Sequence, residues 1–319
     1  ITAVTLTENG GAGNTNVDYS TLETIIDAYQ ARNGAVAFTP DAGDTIVIDD
    51  TDEVTAYVSD ITNGRLVLND QAVTINSALE VGVTDARKIA NDTSGTVTAT
   101  IASSRVSDLT ALRNPGGGNE ENAWTITVNS DDAANQVTAA ELNTLNAATS
   151  VAVNVNAVTE LKASDLTDLT TFHTNRAGFS NTTNIATINL TDNGTSGVGT
   201  AVDYSTLETI VDNFRAAGAD GINENAVFKF ANADAIAIDD SSEVTAYVAD
   251  ITSGALALTN QTVTVNSSVD LSVTNARAIA NDTSGTVTAT IASSRVSDLT
   301  TLRNPGGGNE TNAWTITVN

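Results

Sequence analysis

Apolar and polar positions along this chain follow two alternating rhythms. Ten segments fit one nine-residue template, beginning at Val17, Glu53, Val81, Ser104, Val137, Leu161, Val202, Glu243, Leu271 and Ser294. The third position is usually apolar, the sixth is Leu, Val or Ala, and the ninth is Leu or Ile. That spacing is close to helical and gathers the apolar side chains on one face. Each segment therefore predicts a helix of two or three turns, too short to be stable alone. Ser or Thr at the fourth position predicts the N-cap: Ser20, Thr84, Ser107, Ser164, Ser205, Thr274 and Ser297. Asp85, Asp108, Glu141 and Asp165 follow in the first turn, where the helix dipole favours an anion. Between these segments lie period-2, β-branched runs that predict strands. Examples are VTATI from Val97, WTITVN from Trp124, VAVNVN from Val151, IATINL from Ile185, VFKF from Val227 and VTVN from Val263.

One strand, one turn, one short helix and one return make a coil, and repeating the coil stacks the strands in parallel. The expected fold is an α/β solenoid of parallel strands with short helices on one wall. Ten coils at the parallel-strand spacing of about 4.8 Å would give a rod on the order of 45–50 Å long. The alternative is a string of all-β sandwiches, which has no need of ten capped helical segments. Asn76, Asn129, Asn154, Asn189, Asn266 and Asn319 each follow an apolar–x–apolar triplet. They fit either a ladder of amides bonded between coils or simple turn residues.

A longer period overlies the short one. Residues 90–129 return as 280–319 with two differences: Ala111 answers to Thr301 and Glu121 to Thr311. VDYSTLETI at Val17 returns at Val202, and EVTAYVSDI at Glu53 returns as EVTAYVADI at Glu243. The chain divides into a first long repeat, residues 1–184, with about six strand–helix coils, and an incomplete second, residues 185–319. Near-identity that reaches loop residues points to recent duplication within a tandem array, a device for building length and surface.

Composition narrows the picture. Aromatic residues are 4% of the chain, so the core must be built from Val, Ile, Leu and Ala. A formal net charge of −26 repels nucleic acid and anionic membranes and favours divalent cations and a salty medium. No apolar stretch approaches the roughly 20 residues a spanning helix needs. The chain has no Cys, which excludes a disulfide scaffold and a thiolate metal site. It has no Met and begins with Ile, which reads as a mature or excised piece of a longer protein. The acidic, Lys-poor, Thr/Asn/Asp/Gly-rich composition is that of a secreted bacterial surface protein.

The alternation of TVTATI-type strands with VTAAELNTLNAATSVAVNVNAVTELKASDL, from about Thr96 to Leu169, resembles the giant repetitive extracellular proteins of cyanobacteria and other aquatic bacteria. These are β-strand-repeat, adhesin-like or surface-layer-like proteins. The resemblance implies a secreted, structural or adhesive role, often calcium-dependent, and brings no catalytic signature. The glycine-rich nonapeptide calcium repeat of related secreted proteins is absent, so calcium cannot be carried over from that motif.

Candidate chemistry is sparse. His173 is the sole histidine and suits a solvated or capping role; no GxSxG nucleophile elbow accompanies it, and enzyme activity is not expected. The glycine-rich stretches GGAG at Gly10 and GTSGVG at Gly194 lack the Lys of a phosphate loop. NPGGGNE at Asn114 and Asn304 predicts a projecting loop, either a contact point or a tolerated insertion. Thr-x-Thr strands suggest an ice-binding rank, but Ala and Asn interrupt it. The acidic joins IDDTDE and IDDSSE are the candidate calcium site: Asp49, Asp50 and Asp52, and Asp239, Asp240 and Glu243. Their spacing does not match an EF-hand, and the competing reading is a pair of helix caps. NSDDAAN at Asn129 is a further acidic turn. The expected partners are copies of the chain itself, head to tail, with a cell-surface or environmental glycan as the adhesive alternative.

Overall fold

The computed structural model describes residues 3–6, 16–41, 43–102, 105–112, 122–128, 136–192, 201–218, 221–230, 235–302 and 312–318. The loops at Asn114 and Asn304, the acidic turn at Asn129 and the glycine-rich stretches at Gly10 and Gly194 lie wholly or mostly outside them. In chain order the described elements begin with β1 (Ala3–Thr5), β2 (Asn16–Asp18), α1 (Tyr19–Asn33), β3 (Ala37–Thr39), β4 (Thr45–Ile48) and α2 (Thr51–Thr62). They continue through β5 (Ala72–Ile75), β6 (Glu80–Val81), α3 (Val83–Asp92), β7 (Val97–Ile101), α4 (Val106–Leu109) and β8 (Ala123–Thr125). Next come β9 (Gln136–Val137), α5 (Ala139–Asn146), β10 (Val153–Asn154), β11 (Glu160–Asp165), α6 (Leu166–Thr174), β12 (Phe179–Ser180) and β13 (Thr187–Asp192). The second copy follows with β14 (Ala201–Asp203), α7 (Tyr204–Arg215), β15 (Val227–Phe230), β16 (Ala235–Ile238), α8 (Ser241–Ser253) and β17 (Leu256–Ala257). The last elements are β18 (Thr262–Val265), β19 (Asp270–Leu271), α9 (Val273–Asp282), β20 (Val287–Ser294), α10 (Val296–Leu299) and β21 (Ala313–Val318).

Every strand pair among the described residues is parallel, so the molecule is α/β with parallel sheets. Tandem antiparallel sandwiches have no counterpart there. Parallel pairing follows from the coil: each strand is separated from its partner by a turn and usually a helix, long enough for the crossover that parallel strands require.

The chain clusters into two compact units. One comprises Ile1–Ala134, Glu141–Ala157 and Ala177–Asn181; the other comprises Asn135–Ala140, Val158–Arg176 and Thr182–Asn319. Residues 135–181 are divided between the two units. In the first unit β2, β4, β5 and β7 run side by side, with β6 and β8 also paired to β7. In the second, β14, β16, β18 and β20 repeat that order, with β19 and β21 paired to β20. Even the register recurs: Thr45 to Ile48 oppose Ala72 to Ile75, and Ala235 to Ile238 oppose Thr262 to Val265. A second sheet in that unit has the order β17-β15-β13-β11-β9. Its β13–β15 pairing reproduces β1–β3 of the first unit.

The alternating strands bury one face. In VTATI, Val97, Ala99 and Ile101 are buried while Thr98 is exposed. Helices add Tyr19, Leu22 and Ile26 from α1, and Tyr204, Leu207, Val211 and Phe214 from α7. The few aromatics sit at joints. The rings of Tyr19 and Tyr57 meet edge-on at 5.2 Å, and those of Tyr204 and Tyr247 at 5.1 Å.

The helices start earlier than their Ser/Thr spacing predicts. Tyr19, Val83, Val106, Ala139, Tyr204, Val273 and Val296, at the third template position, are the first helical residues. Ser20, Thr84, Ser107, Ser205, Thr274 and Ser297 therefore lie inside the first turn. The caps are Asp18 and Asp203, which accept from Thr21 N and Ser205 N, and Ser272, which accepts from Asn275 N. A carboxylate one residue before the helix outcompetes the hydroxyl, and Ser20 instead donates to Asp18 Oδ1 at 2.6 Å. Gly82, Arg105 and Arg295 precede their helices without any side-chain cap. Ser164 misses by one: Asp165 caps α6, and the Ser164 hydroxyl accepts from Ala139 N at 3.0 Å. Helix α1, with 15 residues, is also longer than the expected two or three turns.

Candidate functional site

The acidic joins are where carboxylates gather. Strand β4 delivers Asp49 and Asp50 to the start of α2, and β16 delivers Asp239 and Asp240 to the start of α8. Asp50 accepts from Glu53 N at 2.8 Å, while Glu53 Oε2 reaches back to Asp49 N at 2.6 Å. In the second copy Asp240 accepts from Ser242 N and Glu243 N, and Glu243 Oε2 accepts from Asp239 N at 2.6 Å. This is a reciprocal capping box: each side chain satisfies the orphan amide next to the other. Glu53 and Glu243 are buried against their own helix starts, and Asp49, Asp50, Asp52, Asp239 and Asp240 face solvent. The geometry therefore gives three of the six candidate ligands, Asp50, Asp240 and Glu243, together with Glu53, a job at the helix terminus. Among the described residues no three His, Asp or Glu side chains converge as a metal ion would require.

A second acidic set was not legible as a site. The Tyr19 hydroxyl donates to Asp60 Oδ2 at 2.8 Å, and Tyr204 donates to Asp250 Oδ2 at 2.6 Å. Burial raises both carboxyls above the usual range, against the lowering effect of the tyrosine bonds. Arg65 lies 3.5 Å from Asp60. Beside them, Asp92 ends α3 and Asp282 ends α9. Burial pushes each of these two carboxyls up to about 6. The Oδ2 atoms of Asp92 and Asp282 and the hydroxyls of Tyr57 and Tyr247 are buried without a hydrogen-bond partner. Each aspartate raises the pKa of its copy's tyrosine by charge, after burial has done most of the work. The arrangement keeps these two carboxyls protonated up to about pH 6, well above the ordinary aspartate range. Its signal in the sequence was recurrence: Tyr57, Asp60 and Asp92 return 190 residues later as Tyr247, Asp250 and Asp282.

Buried polar ties between coils complete the picture. Gln71 donates to Pro40 O at 2.9 Å and Asp41 O at 3.0 Å, and accepts from Asn69 N at 2.7 Å. Thr93 and Thr283 donate to the carbonyls of Gln71 and Gln261. Asn122 Oδ1 accepts from Val97 N and Asn312 Oδ1 from Val287 N, each at 3.0 Å. These amides bridge successive strands, a role expected of other asparagines. Of those, Asn154 accepts from Asn181 Nδ2 at 2.9 Å and Asn189 donates to Glu160, both across strands. Asn76 and Asn266 instead cap local turns at Ala78 N and Ser268 N. Asn129 and Asn319 lie outside the described residues.

His173 sits in α6 with its ring 6.1 Å from that of Phe214. A cleft of about 350 Å³ lies by Thr183, Ile222 and Asn223, and one of about 270 Å³ by Ile61, Lys88 and Asp92. The Asn223 amide is spent on Thr183 O and Ile185 O, and Lys88 pairs with Asp85 at 3.0 Å. Neither cleft lining joins a nucleophile to a general base. No helix among the described residues is long and apolar enough to cross a membrane. Compared with protein-family models, with curated proteins and with solved structures, the chain matches none.

Proposed function

We propose that this chain is a structural, adhesive module of an extracellular bacterial surface protein, a rod of stacked strand–helix coils that belongs to a tandem array. It is not an enzyme on this reading. The supporting observation is that corresponding blocks fold into the same parallel strand order and register in both copies, with the Thr93/Thr283 and Asn122/Asn312 ties recurring. A fold whose ties run from each coil to the next can be lengthened by repetition without redesign. Cations, calcium among them, act on the acidic surface of such a rod by relieving repulsion between coils. A glycan-binding module is less well supported: among the described residues Tyr29 is the one aromatic among the exposed large apolar side chains. The test is electron microscopy of the purified chain and of versions carrying added long repeats. Particle length should grow by a constant increment per repeat, and antibodies should label the cell surface. Compact particles whose length does not grow with repeat number would overturn the proposal.

A further inference from the structure

The two edge-on tyrosine pairs are each satisfied on one side only. Tyr19 and Tyr204 donate to Asp60 and Asp250. The rings they meet, Tyr57 and Tyr247, are 0% exposed, and no protein group bonds their hydroxyls. The Oδ2 atoms of Asp92 and Asp282 are in the same condition. Each of these carboxylates acts by its charge on the tyrosine of its own copy. Helix α2 packs beside α3, and α8 beside α9, so each unpartnered pair of atoms joins two successive helices of the stack.

The neighbouring cations are not the absent partners. Lys88 pairs with Asp85 at 3.0 Å, and Arg65 lies against Asp60. In the second copy Ala278 and Asn275 stand where Lys88 and Asp85 do in the first, yet Tyr247 and Asp282 are left as Tyr57 and Asp92 are. The recurring elements are therefore a phenol that donates and a carboxyl oxygen that accepts, and the two do not bond each other. Buried polar groups of this kind need partners. A guest between them must accept from the first and donate to the second. A metal cation takes lone pairs only and leaves the phenol proton without an acceptor. An anion is repelled by the carboxylate and by the negative ends of α2 and α3, which finish at Thr62 and Asp92. Water satisfies both atoms. It also serves either protonation state of the carboxyl, donating to the anion and accepting from the acid.

We propose that one water molecule is bound at the α2–α3 joint and one at the α8–α9 joint, accepting from the Tyr57 or Tyr247 hydroxyl and donating to Asp92 or Asp282 Oδ2. An internal water makes about two to four hydrogen bonds, and these two atoms supply the minimum. In the first copy the cleft of about 270 Å³ lined by Ile61, Thr62, Lys88, Asn91 and Asp92 leads solvent to the carboxyl. Each water ties one helix to the next, as Thr93 and Thr283 tie their coils directly to Gln71 and Gln261.

The test uses the near-isosteric variants Tyr57→Phe and Tyr247→Phe at pH 8, with melting followed by circular dichroism. A hydroxyl buried without a partner weakens the fold, so its removal is neutral or raises the melting temperature; a hydroxyl bonded to a held water strengthens it, so its removal lowers the melting temperature. Each variant should melt about 2–4 °C below wild type. An unchanged or higher melting temperature in either variant would overturn the bound water at that joint. A crystal structure of the wild-type chain supplies a second, independent reading. Density for one solvent atom should lie about 2.6–3.2 Å from both the tyrosine oxygen and the aspartate Oδ2 at each joint. Crystals soaked in rubidium chloride should show no anomalous signal there. A joint with no solvent density would refute the site, and a rubidium peak would make it a cation site instead.

Discussion

Neutralising the carboxyls at Asp92 and Asp282 should stabilise this protein at pH 8 and leave it almost unchanged at pH 4. Each aspartate ends a helix, where the macrodipole disfavours an anion. Each has one oxygen buried without a partner, and burial raises its pKa from 3.8 to about 6. A folded-state pKa above the unfolded value means a contribution fully present below about pH 4 and lost as pH rises through about 6. At about 1.4 kcal/mol per pKa unit, the full shift is worth roughly 3 kcal/mol per site. Both side chains are partly solvent-exposed, so screening reduces this to about 1–2 kcal/mol each. Asp→Asn keeps the acceptor for the amide of Leu68 beside Asp92 and removes the charge. The double variant Asp92→Asn/Asp282→Asn should therefore melt about 3–6 °C above wild type at pH 8. Thermal unfolding followed by circular dichroism from pH 4 to pH 8 measures this. Wild type will also gain from acid through Asp60, Asp250, Glu23 and Glu208, whose carboxyls burial likewise raises. Asp18 and Asp203 are lowered by their cap bonds and work the other way at acid pH. The difference between variant and wild type isolates the two sites. A difference that stays constant between pH 4 and pH 8 would refute the reasoning.

Three further outcomes follow from the repeated ties. A Cβ on Gly95 would lie 2.4 Å from Gln71 O, and one on Gly285 2.2 Å from Gln261 O, so Gly→Ala at either place should cost about 1–3 kcal/mol by denaturant unfolding. Glu53→Ala and Glu243→Ala each strip the amide of the preceding Asp49 or Asp239 of its acceptor and should cost about 1 kcal/mol by the same measurement. Calcium should raise the melting temperature at fixed ionic strength if Asp49, Asp50, Asp52, Asp239, Asp240 and Glu243 bind it directly, and no more than matched sodium chloride if capping is their whole role.

The fold was legible because hydrophobic period is a local quantity. VTATI, VFKF and TIVID alternate visibly, and the structure makes strands of them, parallel as the coil length demands. Helix existence was legible for the same reason, while helix starts were not. The Ser/Thr rule ignores competition: Asp18 and Asp203, two residues before the expected caps Ser20 and Ser205, take the amide, and at α6 Asp165, one residue after Ser164, does so. The acidic joins were seen as clusters of charge; only the side-chain directions show that Glu53 and Glu243 point back at the chain. Gln71, Gly95 and Asn122 were invisible singly, since each acts on a residue 22 to 31 positions away or on a neighbouring strand. Gly95 is required by the close approach of the Gln71 carbonyl.

Those same long-range ties set which positions of the repeated block tolerate change least. A side chain that bonds the next coil is constrained by two coils at once, so Thr93, Gly95 and Asn122 form a set in which one change strands the partners of another. The two differences between the blocks fall outside that set, at residue 111, just before the Asn114 loop, and residue 121, just after it.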